Sequence, residues 1–323
     1  MLLSVILPCY NEEQIIAQTY CQLTQILQSL NNIDYELVFI DDGSEDSTFS
    51  ILAGLQQEDP HIRIVQLSRN FGQQMATTAG MEHARGEAVI LMDADLQDPP
   101  ELIPDMISEW KKGFDVVYGE RTERPNEGLL KRLTSRAFYQ IIHHLSDVEI
   151  PQNTGDFRLM DRTVVQAFLT LHERGRFVRG LISWLGFRQT GLYFRRPVRQ
   201  AGKTKYPFTK SLKLAADAMV SFSSRPLKLA TWLGFSASGV ALAGIVYALI
   251  MRLLTDIWVT GWTALFIAVL FMGGVQLICM GIIGEYIGRI YAETKCRPLY
   301  LIQKKLGFPN GEPSPAQDKI IDD

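Results

Sequence analysis

The sequence holds few of the residues that staple or metallate a small fold. Its four cysteines, Cys9, Cys21, Cys279 and Cys296, lie scattered through 323 residues with no C-x-x-C spacing and no histidine paired with them. That pattern excludes a structural zinc site and a disulfide framework, and points to a reducing, cytoplasmic setting for the catalytic part. No G-x-G-x-x-G follows any strand-like run, which argues against a dinucleotide-dependent redox enzyme. An overall excess of one charge is missing too: the net charge is −3, and no nucleic-acid partner is implied. Met1 to Leu7 is apolar but lacks the basic leader and the length of a signal peptide, so it reads as a first strand.

What is present is a series of short apolar runs separated by helical segments. The runs are Leu2 to Leu7, Tyr35 to Ile40, Ile62 to Leu67, Ala88 to Met92 and Asp115 to Tyr118. Helical stretches fall around Glu12 to Leu30, Ser47 to Gln57, Gln73 to Ala84 and Glu101 to Lys112. This alternation predicts an α/β fold with a mostly parallel, Rossmann-like sheet.

Ala88 to Met92 is apolar throughout, as in a strand covered on both faces, and runs straight into Asp93-Ala94-Asp95-Leu96-Gln97. Ligands of such sheets gather beyond the carboxyl ends of the strands, where Asp93 and Asp95 emerge. Two carboxylates one residue apart suit a hard divalent ion, Mg²⁺ or Mn²⁺, which completes its shell with substrate phosphates. Asp98, just before Pro99-Pro100-Glu101, is read as a helix cap. The second run also ends in acid, at Asp41-Asp42-Gly43-Ser44, where a tight turn explains the residues as well as a ligand role does. Arg121, past the fifth run, is the candidate to offset charge on a departing diphosphate.

The second half turns basic and then apolar. Between Arg188 and Lys228 the basic residues include Arg195, Arg196, Lys203, Lys205, Lys210 and Lys213, against one acid, Asp217. Such an excess beside apolar segments suits anionic headgroups or phosphates, with an interfacial amphipathic helix over 210–228. Residues 229–251 and 262–284 contain no charge, and each is long enough to cross ~30 Å of hydrocarbon as a helix. Basic residues flank the pair on its outer sides, which by the positive-inside rule makes both ends cytoplasmic. The domain plan is then a catalytic domain over 1–209, two transmembrane helices, and a cytoplasmic tail over 285–323.

Several motifs taken in order carry a resemblance. Pro8-x-Tyr10-Asn11-Glu12, Asp41-Asp42-Gly43-Ser44, Arg69-Asn70-x-Gly72, Asp93-x-Asp95-x-Gln97 and two late membrane helices resemble the GT-A family 2 glycosyltransferases. The match is nearest to their polyprenyl-phosphate branch, which includes dolichol-phosphate mannose synthase and the bactoprenol glucosyltransferases. Arg179-Gly180-Leu181-Ile182, Gly186-Phe187-Arg188-Gln189 and Gly284-Glu285-Tyr286-Ile287-Gly288-Arg289 are similar to the bactoprenol group in particular.

The resemblance implies inverting transfer of a hexose, glucose by preference from UDP-glucose, to undecaprenyl phosphate at the inner-membrane face of a bacterium. It also implies a homo-oligomer. It assigns Pro8, Tyr10, Glu12, Asp41, Asp42 and Asp93 to the sugar nucleotide, with Arg121, and Asp93, Asp95 and Gln97 to the metal and diphosphate. Asp156 takes the position of a proposed base, Arg158 and Asp95 complete the catalytic set, and Arg132, Lys203 and Lys205 are assigned to the acceptor phosphate. A phosphate acceptor is already largely a dianion at neutral pH, its second pKa being ~6, so Asp156 is expected to orient the acceptor or Arg158 more than to remove a proton. Processive polysaccharide synthases are disfavoured because no Arg-Trp pair occurs. The rival readings are an aminoarabinose-type transferase and a non-catalytic nucleotide sensor.

Overall fold

The computed structural model describes residues 1–121, 154–194, 225–254 and 261–309. They fall into two compact units, one of residues 1–143, 148–212 and 297–323, the other of 144–147 and 213–296.

In the first unit β1 (Leu2–Cys9), β2 (Asp34–Asp41), β3 (Ile62–Leu67) and β4 (Ala88–Leu91) alternate with α1 (Ile16–Gln28), α2 (Thr48–Glu58) and α3 (Gln73–His83). α4 (Ile103–Lys111) and β5 (Val116–Arg121) follow. These elements lie within a few residues of the sequence expectation, since each strand centres on a short apolar-rich run, although β1, β2 and β3 also carry Ser4, Glu36 and Arg63. Beyond them come β6 (Thr154–Asp161), α5 (Arg162–Leu169), α6 (Val178–Trp184), β7 (Gln189–Phe194) and β8 (Ile302–Leu306). The sheet order is β7-β5-β6-β4-β1-β2-β3-β8. Only β6 and β8 run against the common direction, each antiparallel to its neighbours.

Leu3, Val5, Ile6 and Leu7 of β1 and Leu37 to Ile40 of β2 are wholly buried, so helices cover both faces at the sheet centre. α3 sits closest, because a Cβ at Gly80 would fall 2.2 Å from Ile6 Cγ2. At the amino end of the sheet Glu36 is buried, with its hydrogen bonds on Oε1 and its Oε2 facing two arginines. It accepts from Ser4 Oγ (2.5 Å) and the Arg85 amide (2.6 Å), and pairs with Arg63 Nε at 3.2 Å.

The stretch expected as a tail from residue 285 departs from that expectation. The helix started at Trp262 continues to Thr294, and the chain then re-enters the first unit, where β8 pairs antiparallel with β3. The Ser68 amide donates to Leu301 O at 2.9 Å. Tyr300 is buried and its hydroxyl donates to the Glu82 carboxylate on α3. Phe308 lies between Arg63 and Lys305, 5.1 and 5.7 Å from its ring centroid. The strand is hard to read in sequence because Ile302-Gln303-Lys304-Lys305-Leu306 looks like solvated surface, and only Ile302 of it is fully buried. Lys304 and Lys305 thus belong to the sheet and do not flank a membrane segment.

The second unit contains α7 (Arg225–Leu254) and α8 (Trp262–Thr294), which pack on each other, with Cys279 Sγ donating to Ala230 O at 3.4 Å. Between their charged ends, residues 229–251 and 262–284 are apolar all round: Trp232, Phe235, Leu265 and Leu277 are each more than half exposed. A helix of that length with no polar face has no place in water, and Ala230–Tyr247 and Ile267–Thr294 are two candidate membrane spans. Arg132, Lys203, Lys205 and residues 210–224 of the expected interfacial helix lie outside the described residues, and residues 225–228 belong to α7.

β8 closes the β3 edge, so it is expected to be integral to the catalytic unit. Tyr300→Ala should destabilise the unit by about 3 kcal/mol, the lower end for emptying a large aromatic site. Tyr300→Phe should cost about 1 kcal/mol for the lost hydrogen bond. Denaturant unfolding of detergent-solubilised protein checks both, and equal stability of the wild type and Tyr300→Ala would contradict the strand's role.

Candidate active site

The site forms where the carboxyl ends of β1, β2 and β4 meet the amino end of β6. Register fixes the meeting: Ile6 pairs with Leu91, Cys9 with Asp41, and Leu91 with Arg158. Because β6 runs antiparallel to β4, continuing that last pairing by two residues sets Asp156 across from Asp93.

The loops after β1 and β2 are laced together. The Asn11 amide donates to Ser44 Oγ (3.0 Å), and Asn11 Oδ1 accepts from the Glu45 amide (2.9 Å). The Glu12 amide donates to Thr48 Oγ1 at 2.8 Å, and Glu12 O accepts the first amides of the α1 turn. Asn11 holds φ of +54°, a left-handed conformation that asparagine tolerates better than most residues. Pro8, Tyr10 and Glu12 therefore emerge beside Asp41.

Asp41 is buried, and its Oδ1 accepts from the Ser44 amide at 3.1 Å, with the Gln66 side chain also favouring its charged form. Burial pushes its pKa up, and the Ser44 hydrogen bonds ease the shift. Asp42 differs: both of its oxygens are taken, by the Phe71 amide at 2.7 Å and the Gly72 amide at 2.9 Å. Its carboxylate clamps the Arg69–Gly72 loop to the β2 tip. Gly43 allows that approach, because its φ is +68° and a Cβ there would fall 2.4 Å from the Arg69 carbonyl carbon. The turn reading of Asp42-Gly43 thus has a direct structural counterpart.

The Asp93–Asp98 turn is the centre. Leu96, bulky and buried, holds φ of +56°, a conformation that costs roughly 1–2 kcal/mol for an L-residue and is found preferentially at functional sites. Hydrogen bonds hold it there: Thr19 Oγ1 to Ala94 O at 2.8 Å, the Gln97 amide to Asp95 Oδ1 at 3.1 Å, and the Asp93 amide to Asp98 Oδ2 at 3.3 Å. Asp98 does not cap the helix that follows, whose cap position is Pro99 with no side-chain hydrogen bond. It faces inward instead, fully buried, with Oδ1 3.6 Å from Arg121 Nη2.

Asp93 accepts from Gln73 Nε2 at 2.7 Å. Desolvation, then Asp98, Asp156 and Asp95, push its pKa well up, and Arg121 opposes them. The neighbouring carboxylates thus disfavour the charge of Asp93, and a cation would restore it. Among the described residues no group of three or more acidic, His or Cys side chains converges to hold an ion unaided. A pair of carboxylates fits Mg²⁺ or Mn²⁺, whose remaining positions go to phosphate and water.

On β6, Asp156 Oδ1 accepts from Arg179 Nη2 (3.0 Å) and Nε (3.2 Å), while Arg179 Nη1 donates to Thr154 O at 2.7 Å. Arg158, expected to be the partner of Asp156, instead donates to the backbone oxygens of Gly155 and Asp156. Burial lowers its pKa to about 10, against the pull of Asp156. The strand tips bring together Asp41, Asp93, Asp95, Asp156 and Arg121; Asp98, read in sequence as a helix cap, and Arg179, noted there only as part of a motif, join them, with Gln73 and Gln74, which no local pattern singled out.

The model for glycosyl transferase family 2 matches residues 4–169, spanning every strand tip just described except that of β7. The chain belongs to glycosyltransferase family 2. It is a glycosyltransferase with the GT-A-like sheet of that family, and a GtrB C-terminal hairpin model matches residues 225–290, the two apolar helices. A glycosyltransferase of Bacillus subtilis, YkcC, is 47% identical over 307 residues, covering 95% of each chain. The Escherichia coli prophage bactoprenol glucosyl transferase homolog is 40% identical over 94% of this chain and 99% of its own. The bactoprenol glucosyl transferase of Shigella phage SfII is 41% identical over 94% and 98%. Membership of this family removes the non-catalytic sensor reading.

A Cβ at Gly155 would fall 2.5 Å from Arg121 Nη2, so glycine there admits the guanidinium. Gly155→Ala should displace Arg121, the flexible partner, and lower kcat/KM for sugar transfer about tenfold (~1.4 kcal/mol) with an unchanged unfolding midpoint. Steady-state kinetics beside a melting curve check this, and unchanged kinetics would remove Arg121 from the reaction.

Proposed function

We propose that this chain transfers glucose from UDP-glucose to undecaprenyl phosphate, with inversion, giving a polyprenyl-phosphate glucose at the cytoplasmic face of a bacterial membrane. The relatives named bactoprenol glucosyl transferase support the substrate pair. The observation that carries the chemistry is the register that sets the Asp156–Arg179 pair across from Asp93 at the β4 tip. An aminoarabinose-type donor is not needed to account for any of it.

Asp41, with Pro8, Tyr10 and Glu12 beside it at the tips of β1 and β2, suits an imide N–H of uracil. Asp93 and Asp95, with Gln97 adjoining, would hold Mg²⁺ or Mn²⁺, which when bound supplies charge neutralisation at the diphosphate. Among the described residues Arg121 makes a long pairing to Asp98 and no side-chain hydrogen bond from Nε, which leaves its guanidinium for the leaving β-phosphate. An acceptor phosphate oxygen attacks the anomeric carbon, the bond from that carbon to the diphosphate oxygen breaks on the opposite side, and UDP leaves with the bonding pair. No proton need move, because the acceptor arrives as a dianion. Asp156 is then a positioning group that holds Arg179 towards the acceptor. Arg132, Lys203 and Lys205 are proposed for the same phosphate.

Connectivity supports the proposed sidedness. The chain before the hairpin and the chain after it both contribute strands to one sheet, so the intervening segment must cross the membrane an even number of times. Both flanks then share the side of the catalytic unit, which the basic residues mark as cytoplasmic.

Incubation with UDP-glucose, undecaprenyl phosphate and Mn²⁺, scored by the mass of the lipid product, tests the reading. Asp93→Asn with Asp95→Asn should abolish product, and full activity in that double variant would sink it. Asp156→Asn should lower kcat at all pH values alike. Removal of an acidic limb from the pH–rate profile would instead make Asp156 a true base.

A further inference from the structure

Two consecutive glutamines at the start of α3 reach in different directions to the two halves of the site. Gln73 Nε2 donates to Asp93 Oδ1 at 2.7 Å. Gln74 Oε1 accepts from the Val178 amide at 2.8 Å, at the first residue of α6. The next residue, Arg179, holds Asp156. α3 is a stiff carrier for both: the Asp42 clamp fixes the loop that leads into it, and Gly80 lets it sit tightly on Ile6.

We infer that Gln73 and Gln74 are positioning residues that register the donor-side carboxylate Asp93 and the acceptor-side Arg179–Asp156 pair on one helical turn. The inference rests on the donor and acceptor assignment proposed above. The amide is the fitting donor for Asp93. A carboxylate needs a hydrogen bond to hold its rotamer, but a lysine or arginine at that distance would cancel the charge that a cation requires. A neutral Nε2–H orients one oxygen and leaves the charge in place. Gln74, by contrast, makes no contact with a carboxylate; it pins the α6 backbone, and through it the direction from which Arg179 approaches.

The two residues should therefore fail differently when changed, which a shared packing role would not produce. In full-length, detergent-solubilised protein, Mn²⁺ binding in the presence of UDP is followed by loss of the free-ion electron paramagnetic resonance signal. Gln73→Ala should weaken Mn²⁺–UDP binding about tenfold and leave KM for undecaprenyl phosphate within twofold. Gln73→Lys should weaken it further. Gln74→Ala should leave Mn²⁺–UDP binding as in the wild type and raise KM for undecaprenyl phosphate, or lower kcat, about fivefold. Should Gln73→Ala fail to fold, Gln73→Met keeps the side-chain volume without the donor and is read in the same way. Wild-type Mn²⁺–UDP binding in both Gln73 variants, or one common profile for Gln73→Ala and Gln74→Ala, overturns the inference while leaving the proposed reaction intact. Absence of Mn²⁺–UDP binding in the wild type itself overturns both.

Discussion

The antiparallel pairing of β6 with β4 is the constraint on which the site depends, because it brings Asp156 to the tip that already carries Asp93, Asp95 and Asp98. The two ends of the sheet treat buried charge in opposite ways. At the amino end Glu36 is cancelled by Arg63 and Arg85 and by hydroxyl and amide donors. At the carboxyl end the carboxylates press on one another, and the guanidiniums there are only partly engaged by them. A folded protein retains such an imbalance where a ligand completes it. In the function proposed above that complement is a cation together with phosphates.

The remaining elements keep that unbalanced tip from relaxing. Leu96 is held left-handed by hydrogen bonds on both sides of the turn, the β1 and β2 loops are laced from Asn11 to Thr48, and Asp42 ties the α3 entry to β2. Each restraint is a buried or half-buried polar contact over an apolar core, where a hydrogen bond loses little to competing water. The rigidity of the sheet therefore reaches the side chains that do the chemistry, and α3 carries it from the donor side to the acceptor side.

The hairpin inserted before the last strand gives the molecule its second character. α7 and α8 expose apolar side chains on all faces, and the chain returns afterwards to complete the sheet with β8. A catalytic unit sewn shut on both sides of a membrane hairpin cannot lose its tether by unfolding one end alone. Tyr300, buried with its hydroxyl on Glu82, and the half-buried Phe308, beside His83 and Arg63, make that closure a packing contact as well as a strand pairing.

Local sequence determined the α/β alternation from β1 to β5, the acidic tip of β4 and the two apolar helices, because each is written in a continuous run of neighbours whose period or length is diagnostic. The functional family was legible for the same reason, through short motifs sitting at strand ends. What only the tertiary structure decided is the pairing of distant groups: Asp98 turned inward to Arg121 when a helix cap was expected, Arg179 and not Arg158 on Asp156, Gln73 on Asp93, and a lysine-rich segment taken up as the edge strand β8. None of these has a local signature. A strand register is set by burial across the whole sheet, and the partner of a charged side chain is whichever opposite group that register brings within a few ångströms.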